Sequence, residues 1–371
     1  MPVKKFLLAG GGTGGHIYPA IAIASRLKRD FPDARILFIG TDRGLEKQLV
    51  PRAGFPLEKI RVKGFNRKLS LDTLVSIKEM VLGGLDSIKI LMREKPDLVI
   101  GTGGYVAGPV IFFAALLGLP TIIHEQNVKP GVTNRILSRF VDKVAVSFPD
   151  SVKYFPKGKT VLTGNPVRSE IAAGDRAAAL KKFGLRSELP VVLCFGGSQG
   201  AARLNEAMLY VIEKIKNSRK FQVIHVTGQK HYSGFTQILE NKGIRIDELE
   251  HIKLKPYIYE MQDAYAAADL VISRAGAISI SEITLCGKPS ILIPLPTAAD
   301  RHQDYNANFL EKNGAGVVIY DRELTGEKLL GVIRELVFDK ERLSRMSEAS
   351  RSLARPEALE NIVNEIKNLI D

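Results

Sequence analysis

The sequence predicts an α/β protein made of two doubly wound, parallel-sheet halves, and three observations lead there. Short apolar runs of strand length alternate with helical patterns through residues 1–165. The same alternation restarts after Gly164-Asn165-Pro166, a turn signal that disfavours helix on either side. At ~150 residues per domain, the 371 residues suit two or three domains. Strand–helix alternation implies parallel strands with helices on both faces.

Taken in order, the first-half strands are expected at Phe6–Ala9, Ile36–Ile39, Leu98–Ile100, Thr121–His124 and Val144–Ser147. Most end near Gly, Asn or Pro. A helix is expected over Ala20–Lys28, with Pro19 in its first turn. In the second half, strands are expected at Val191–Phe195, Val223–Val226, Leu270–Ser273 and Ser290–Pro294, with a helix over Ala201–Lys216. From Thr325 to the end the pattern is helical, broken at Pro356.

Composition narrows the function classes. Apolar residues at 45% and charged residues at 25% make an ordinary soluble balance and argue against disorder. The two cysteines, Cys194 and Cys286, lie in apolar runs and read as buried thiols of a reduced compartment. No Cys/His cluster has metal-ligand spacing. The N-terminal MPVKKFLLAGGG begins like a signal peptide, but its apolar run is short and meets glycines, so it reads as a first buried strand. No stretch approaches the ~20 apolar residues that span a bilayer, and a cytoplasmic protein is expected. Residues 1–165 hold 25 Lys+Arg against 13 Asp+Glu, whereas residues 166–371 hold 28 against 27. A one-sided basic half suits a polyanionic partner, either nucleic acid or an anionic membrane.

Three glycine-rich turns follow expected strands: Gly10–His16, Gly101–Tyr105 and Gly196–Gly200. Glycine permits positive φ and close backbone approach, and a helix start offers N–H groups to an anion. A phosphate is the natural ligand, at the carboxyl ends of parallel strands. Simple tight turns are the plainer reading. Gly10, Gly12 and Gly15 also satisfy G-x-G-x-x-G, with Asp42 near the end of the second strand, so a nicotinamide-dependent oxidoreductase stays open on this loop alone. No Walker-type G-K-[ST] follows any loop.

Several side chains are candidates for chemistry. His16, beside the first loop, is suited to take a proton from an attacking hydroxyl, or only to cap the helix or bind phosphate. Ser279 and Glu282 fit a capping box, but Glu282 could equally accept hydrogen bonds from a ribose diol. Arg168 and Arg274 could bind phosphates. The polar cluster His124–Asn127 lies at a strand end, and Asp300–Gln303, after an apolar run and prolines, reads as a loop over a ligand or as a solvated turn. Arg61–Lys95 mixes many apolar residues with eight cations, as in a buried helix pair or a patch in a membrane interface. Nucleic acid is disfavoured by sparse aromatics in this stretch and the absence of Trp.

Taken together, GGGTGGHIYPA, GTGGYVAGP, HEQN, GNPVR, GGSQGA, SRAGAISISE and DRHQDYNA resemble, in order, the MurG-type transferase family over about residues 3–320. The resemblance implies a GT-B fold: two facing Rossmann-like domains with an interdomain cleft. It implies transfer of N-acetylglucosamine from UDP-N-acetylglucosamine to undecaprenyl-pyrophosphoryl-N-acetylmuramyl-pentapeptide, lipid I to lipid II, in peptidoglycan synthesis. Donor contacts would fall on Thr13, Gly14, Gly15, Asn127, Arg168, Ser198, Ile258, Arg274, Ala277, Ile278, Ser279, Ile280, Ser281, Glu282, His302 and Gln303. Ile258 would sit near the uracil, Glu282 on the ribose, and Ser198 with Arg168 near the phosphates or sugar. The acceptor's diphosphate would meet Gly14, Gly15, His16, Gly103, Gly104 and Tyr105, with His16 the candidate base. The family often shows two glutamines where this chain has His302-Gln303.

The implied division is residues 1–165 for acceptor and membrane, residues 166–349 for the UDP-sugar, and a C-terminal helix of about 350–371 packing back on the first. The chain would dock peripherally on the cytoplasmic face of the bacterial plasma membrane, through part of Leu69–Leu85 with Phe112 and Phe113. Its partners would be the lipid-linked acceptor and anionic lipid, with other cell-wall synthesis proteins allowed and nucleic acid not expected. No Asp-x-Asp pair occurs, so no metal cofactor is expected.

Overall fold

The computed structural model describes residues 3–63, 71–197 and 200–370. The chain folds as two units, residues 1–167 with 357–371, and residues 168–356.

In the first unit the strands are β1 (Lys5–Gly10), β2 (Arg35–Gly40), β3 (Leu57–Lys59), β4 (Leu98–Gly103), β5 (Thr121–Glu125), β6 (Lys143–Val146) and β7 (Thr160–Leu162). Its helices are α1 (Gly14–Asp30), α2 (Glu46–Arg52), α3 (Leu71–Glu94), α4 (Ala107–Leu116) and α5 (Val132–Leu137). The sheet order is β3-β2-β1-β4-β5-β6-β7, every pair parallel. Strand periodicity explains its two cores, because successive side chains point to opposite faces. Leu7, Ala9, Val99, Ile123 and Val144 face one core, which α4 fills with Val110, Ile111 and Ala114. Phe6, Leu8, Ile100, Ile122 and Ala145 face the other, filled by Ile17, Ile23 and Leu27 of α1.

The second unit holds α6 (Arg176–Phe183), β8 (Val191–Phe195), α7 (Ala202–Ile215), β9 (Gln222–Val226), α8 (Gln229–Asn241), β10 (Ile252–Lys255) and α9 (Met261–Ala267). It continues with β11 (Leu270–Ser273), α10 (Ala277–Leu285), β12 (Ser290–Leu292), α11 (His302–Lys312), β13 (Gly316–Val318), α12 (Gly326–Val337) and α13 (Lys340–Ser352). Its sheet order, β10-β9-β8-β11-β12-β13, repeats the winding of the first and is also wholly parallel. After Pro356 the last helix, α14 (Ala358–Ile370), returns to the first unit. There it buries Ile362, Val363 and Ile366 on the α1 face.

One expected start moves. The first helix begins at Gly14, so Pro19 is an interior residue rather than a first-turn one. Its missing N–H leaves the Gly15 carbonyl without the usual i→i−4 partner, a loss confined to the second turn.

Each sheet reverses direction of winding once, between β1 and β4 and between β8 and β11. In open α/β sheets that switch point opens a crevice at the strand carboxyl ends. Gly10 pairs with Gly103 there, and Phe195 with Ser273. The glycine turns picked out by sequence therefore sit at the two switch points.

Candidate functional site

At the first switch point the loops after β1 and β4 interlock. Gly103, with φ 100°, lies against the His16 ring, where an added Cβ would stand 2.9 Å from Nδ1. Thr102 Oγ1 donates to the His16 carbonyl at 2.8 Å. Gly104 backs onto the Gly11 backbone, and the Tyr105 ring covers Gly12. Tyr105 Oη also reaches Thr41 Oγ1 at 3.4 Å. Thr13, Gly14, Gly15, His16, Gly103, Gly104 and Tyr105 are thus one cluster.

Not every N–H in the first loop faces outward. The Gly12 N–H donates to Glu46 Oε2 at 3.1 Å. Glu46 is fully buried, and its Oε1 accepts from Thr41 N–H and Thr41 Oγ1 at 3.1 and 2.8 Å. The literal G-x-G-x-x-G thus commits its central N–H to a carboxylate, which weakens the dinucleotide reading. Asp42, the acid that reading needed, is exposed beside Arg43. The N–H groups of Thr13, Gly14 and Gly15 gain no partner from α1 itself, as at any helix start. α1 has no side-chain cap and no acidic residue in its first turn, so this end favours an anion.

His16 sits half-buried in that first turn. Its Nδ1 lies 3.0 Å from the Thr102 carbonyl oxygen and 3.1 Å from Gln126 Oε1. Burial pulls its pKa below the ordinary histidine value, opposed by those two hydrogen bonds. Neutral imidazole is therefore the resting form near pH 7, as a general base requires. Asn127, on the same post-β5 loop, is held elsewhere: its N–H and Nδ2 donate to Glu125 Oε1 at 3.0 and 3.2 Å.

At the second switch point, α7 and α10 start at Ala202 and Ala277 with no side-chain cap and no first-turn acid. Gly276 is the N-cap of α10, so Ser279 is the third helical residue and the capping box does not form. Glu282 is engaged otherwise. Tyr265 Oη donates to its Oε2 at 3.1 Å. Burial raises the Glu282 pKa, against the lowering effects of the Tyr265 bond and the nearby Arg168 charge.

The remaining candidates take these places. Ala277, Ile278, Ser279, Ile280 and Ser281 form the first turns of α10. Ile258 is buried in the turn after β10. Gln303 Oε1 accepts from Leu295 N–H at 3.0 Å, and His302 Nδ1 lies 2.8 Å from the Ala299 carbonyl oxygen. Just before them Asp300 and Arg301 both have positive φ, 50° and 55°, a strained turn of the kind found at ligand clamps. Arg274 is turned inward, its Nη1 pairing with Asp321 and donating to the Ile293 and Pro294 carbonyls at 3.3 Å. Ser198 lies outside the described residues.

Sequence reasoning did not single out Glu46, Tyr265 or Asp321. Each meets its partner across 17 to 47 residues of chain, and no local spacing announces such a pairing. Gln126 was visible only as part of a polar cluster.

Two wholly parallel, Rossmann-like units with uncapped helix starts at both switch points define a fold class, GT-B. Residues 6–146 match the glycosyltransferase family 28 N-terminal domain and residues 191–362 the family 28 C-terminal domain. The chain belongs to glycosyltransferase family 28. A relative from Desulforamulus reducens, a UDP-N-acetylglucosamine--N-acetylmuramyl-(pentapeptide) pyrophosphoryl-undecaprenol N-acetylglucosamine transferase, is 47% identical over 99% of both chains. A transferase of the same name from Thermoanaerobacter sp. is 50% identical over 98% of this chain and all of its own. The crystal structure of Acinetobacter baumannii MurG superposes with a TM-score of 0.80 at 30% identity, covering 99% of this chain and 100% of that one.

Proposed function

We propose that the protein transfers N-acetylglucosamine from UDP-N-acetylglucosamine to undecaprenyl-pyrophosphoryl-N-acetylmuramyl-pentapeptide, converting lipid I to lipid II in peptidoglycan synthesis. The observation that carries this reading is similarity to transferases of that name along essentially the whole chain.

The roles follow from the chemistry of each group. His16 Nε2 takes the proton of the acceptor hydroxyl as its oxygen bonds to the donor's anomeric carbon. The bond from that carbon to the UDP oxygen breaks, UDP leaves with the electron pair, and the anomeric configuration inverts. The N–H groups at Gly14 and Gly15 hold the acceptor's diphosphate, with Gly103, Gly104 and Tyr105 shaping that loop. Glu282, one oxygen held by Tyr265, offers the other to the ribose diol. The starts of α7 and α10 receive the donor's diphosphate, helped by Ser198 and Arg168. Ile258 meets the uracil, while Asn127, His302 and Gln303 contact the sugar. Arg274 serves indirectly, tying the β11–α10 turn to Asp321.

The first unit also docks on anionic membrane at the cytoplasmic face, where its acceptor resides. Support comes from the α3–α4–α5 side, where Val81, Leu85, Leu116, Leu117, Ile136 and Phe140 are exposed beside the exposed cations Lys78, Lys89, Arg135 and Arg139. Phe112 and Phe113 are half-buried instead: Phe112 stacks edge-on against Phe140, and Phe113 backs onto Gly84. Leu69 lies outside the described residues. Among the described residues no helix is long and apolar enough to cross a membrane. No obligatory divalent cation is expected, so chelator should not abolish turnover.

The deciding experiment incubates purified protein with labelled UDP-N-acetylglucosamine and a lipid I analogue. Labelled disaccharide-lipid is expected. Absence of turnover with both natural and shortened lipid acceptors would refute the reading.

A further inference from the structure

His16 Nδ1 lies against two oxygens, and only one of them is identified beyond question by its chemistry. The Thr102 carbonyl can only accept. The Gln126 amide could in principle be turned either way, and its own network decides. Gln126 Nε2 donates to the Thr102 carbonyl at 2.8 Å and to the His124 carbonyl at 3.2 Å. Turning the amide would set its oxygen against two carbonyl oxygens. Oε1 therefore faces His16, and both neighbours of Nδ1 are acceptors. The Nδ1 atom must carry the hydrogen, which leaves the lone pair of neutral His16 on Nε2.

The same logic continues one residue outward. The second hydrogen of Gln126 Nε2 is shared between the His124 carbonyl and His124 Nδ1 at 3.0 Å, and because an amide nitrogen cannot accept, Nδ1 is bare and His124 carries its hydrogen on Nε2. His124 Nε2 then donates to the Gly164 carbonyl at 3.0 Å. Asn165 Nδ2 donates to the Gln126 carbonyl at 3.1 Å, and the one hydrogen of Ser147 Oγ is shared between the Glu125 carbonyl at 2.7 Å and Asn165 Oδ1 at 2.9 Å. Gln126, His124 and Asn165 are each at most 2% exposed, so water does not compete for these bonds. The network joins the His16 ring to the segment just before the unit boundary at residues 167 and 168.

We propose that Gln126 is a positioning residue that holds His16 as its Nδ1–H tautomer, with His124 fixing Gln126 in turn. Free imidazole of histidine prefers the opposite tautomer, so the network reverses an intrinsic preference in favour of the one with a basic Nε2. The proposal rests on the reading of His16 as the base, but its central claim is about a proton position and can be tested separately. The titratable groups around His16 are His124 behind Gln126, Tyr105 over Gly12, and the carboxylates of Glu46 and Glu125. Glu46 is turned to Gly12 and Thr41, and Glu125 to Asn127, Gly131 and Asn134. Neither acid is bonded to the ring.

The test is nitrogen-15 NMR of the full chain with labelled histidine, of which there are six, with His16 assigned by its loss in His16→Gln. In the unsubstituted protein at pH 7.5, Nδ1 should resonate as protonated and Nε2 as unprotonated. The reverse would overturn the proposal without any variant being needed. In Gln126→Leu the Thr102 carbonyl alone holds Nδ1, and a fraction of Nε2–H tautomer should appear. The plateau kcat should fall about 10- to 100-fold, less than the ~10⁴ lost when a triad imidazole is held in the wrong tautomer. The KM for UDP-N-acetylglucosamine should stay unchanged. The acid limb of the pH profile should move to lower pH, because the lost bond was one that raised the His16 pKa. An unaltered tautomer and limb in Gln126→Leu would overturn the proposal. Retained kcat in His16→Ala would instead remove the base assignment and leave the tautomer result standing.

Discussion

At the residue scale, several glycines near the first switch point answer to one buried acid. Gly11, Gly40 and Gly44 surround Glu46, and a Cβ on any of them would strike its side chain. Those glycines make room for a carboxylate rather than for substrate. Glu46 thereby joins the post-β1 loop to the post-β2 loop. Glu46→Gln should keep the shape but oppose an amide N–H to the Gly12 or Thr41 N–H. A lost buried hydrogen bond of ~1–3 kcal/mol predicts a fall of about tenfold or more in kcat/KM for the lipid acceptor. Donor KM should not move, and equal losses for both substrates would refute this role. Histidines give a second residue-level prediction. His124 and His225 are both buried, and burial lowers each pKa from 6.5 to about 4. The unfolded chain takes up protons first as pH falls, so stability is fully present above pH 6.5 and is lost toward pH 4. Each histidine accounts for about 3 kcal/mol of that loss. His225 is fully buried beside the Phe235 ring, and desolvation outweighs a backbone contact to Cys194 in lowering its pKa, so His225→Leu should flatten the acid limb of urea midpoints. An unchanged slope between pH 7.5 and 5 would argue against it.

At the element scale, the strands legible in the sequence are the central ones. β1, β4, β5, β8, β9 and β11 are buried along nearly their whole length, and continuous apolar runs betray that. The edge strands β3 and β10, and β7 and β13 at the opposite edges, were not read. LEK, IKLK, TVL and GVV are three or four residues long and half exposed, so no apolar run marks them. The site divides the same way. Loops bearing glycine after a legible strand could be found, whereas the struts that aim them depend on distant partners. The Arg274–Asp321 pair is such a strut, joining the β11–α10 turn to the turn before α12. Both side chains are close to nine-tenths buried. Asp321→Ala leaves an uncompensated guanidinium, which costs about 3–5 kcal/mol in such settings. A drop of that size in the denaturant-derived stability of the second unit is expected, together with weaker UDP binding. A variant as stable as the parent would show the pair to be dispensable.

At the scale of the whole molecule, the two-domain chain is closed by its own last helix, and that bears on charge. Counted by unit, the first carries 26 Lys+Arg against 17 Asp+Glu and the second 27 against 23. The +12 of residues 1–165 is thus moderated by the acidic tail, which brings Glu357, Glu360, Glu365 and Asp371 against one lysine. Position matters more than the sum. α14 packs on the α1 face of the first sheet, and the exposed apolar residues of α3, α4 and α5 belong to the opposite face. The acidic helix therefore leaves the basic, apolar side unneutralised. If that side meets anionic lipid, each nearby cation adds about 1 kcal/mol and the contribution fades with salt. Leu85 and Leu116 are 58% and 61% exposed, so Leu85→Asp with Leu116→Asp should not disturb the core. The double variant should bind vesicles containing anionic lipid at least tenfold more weakly than the parent, and parent binding should fall between 0.05 and 0.5 M salt, about a threefold shortening of the Debye length. Turnover of a water-soluble, short-chain acceptor should be unchanged in the same variant, because both leucine side chains are exposed on the α3–α4 surface. Vesicle affinity equal to the parent's would move the docking surface off this face, while loss of short-chain turnover would show that these residues serve the chemistry rather than the membrane.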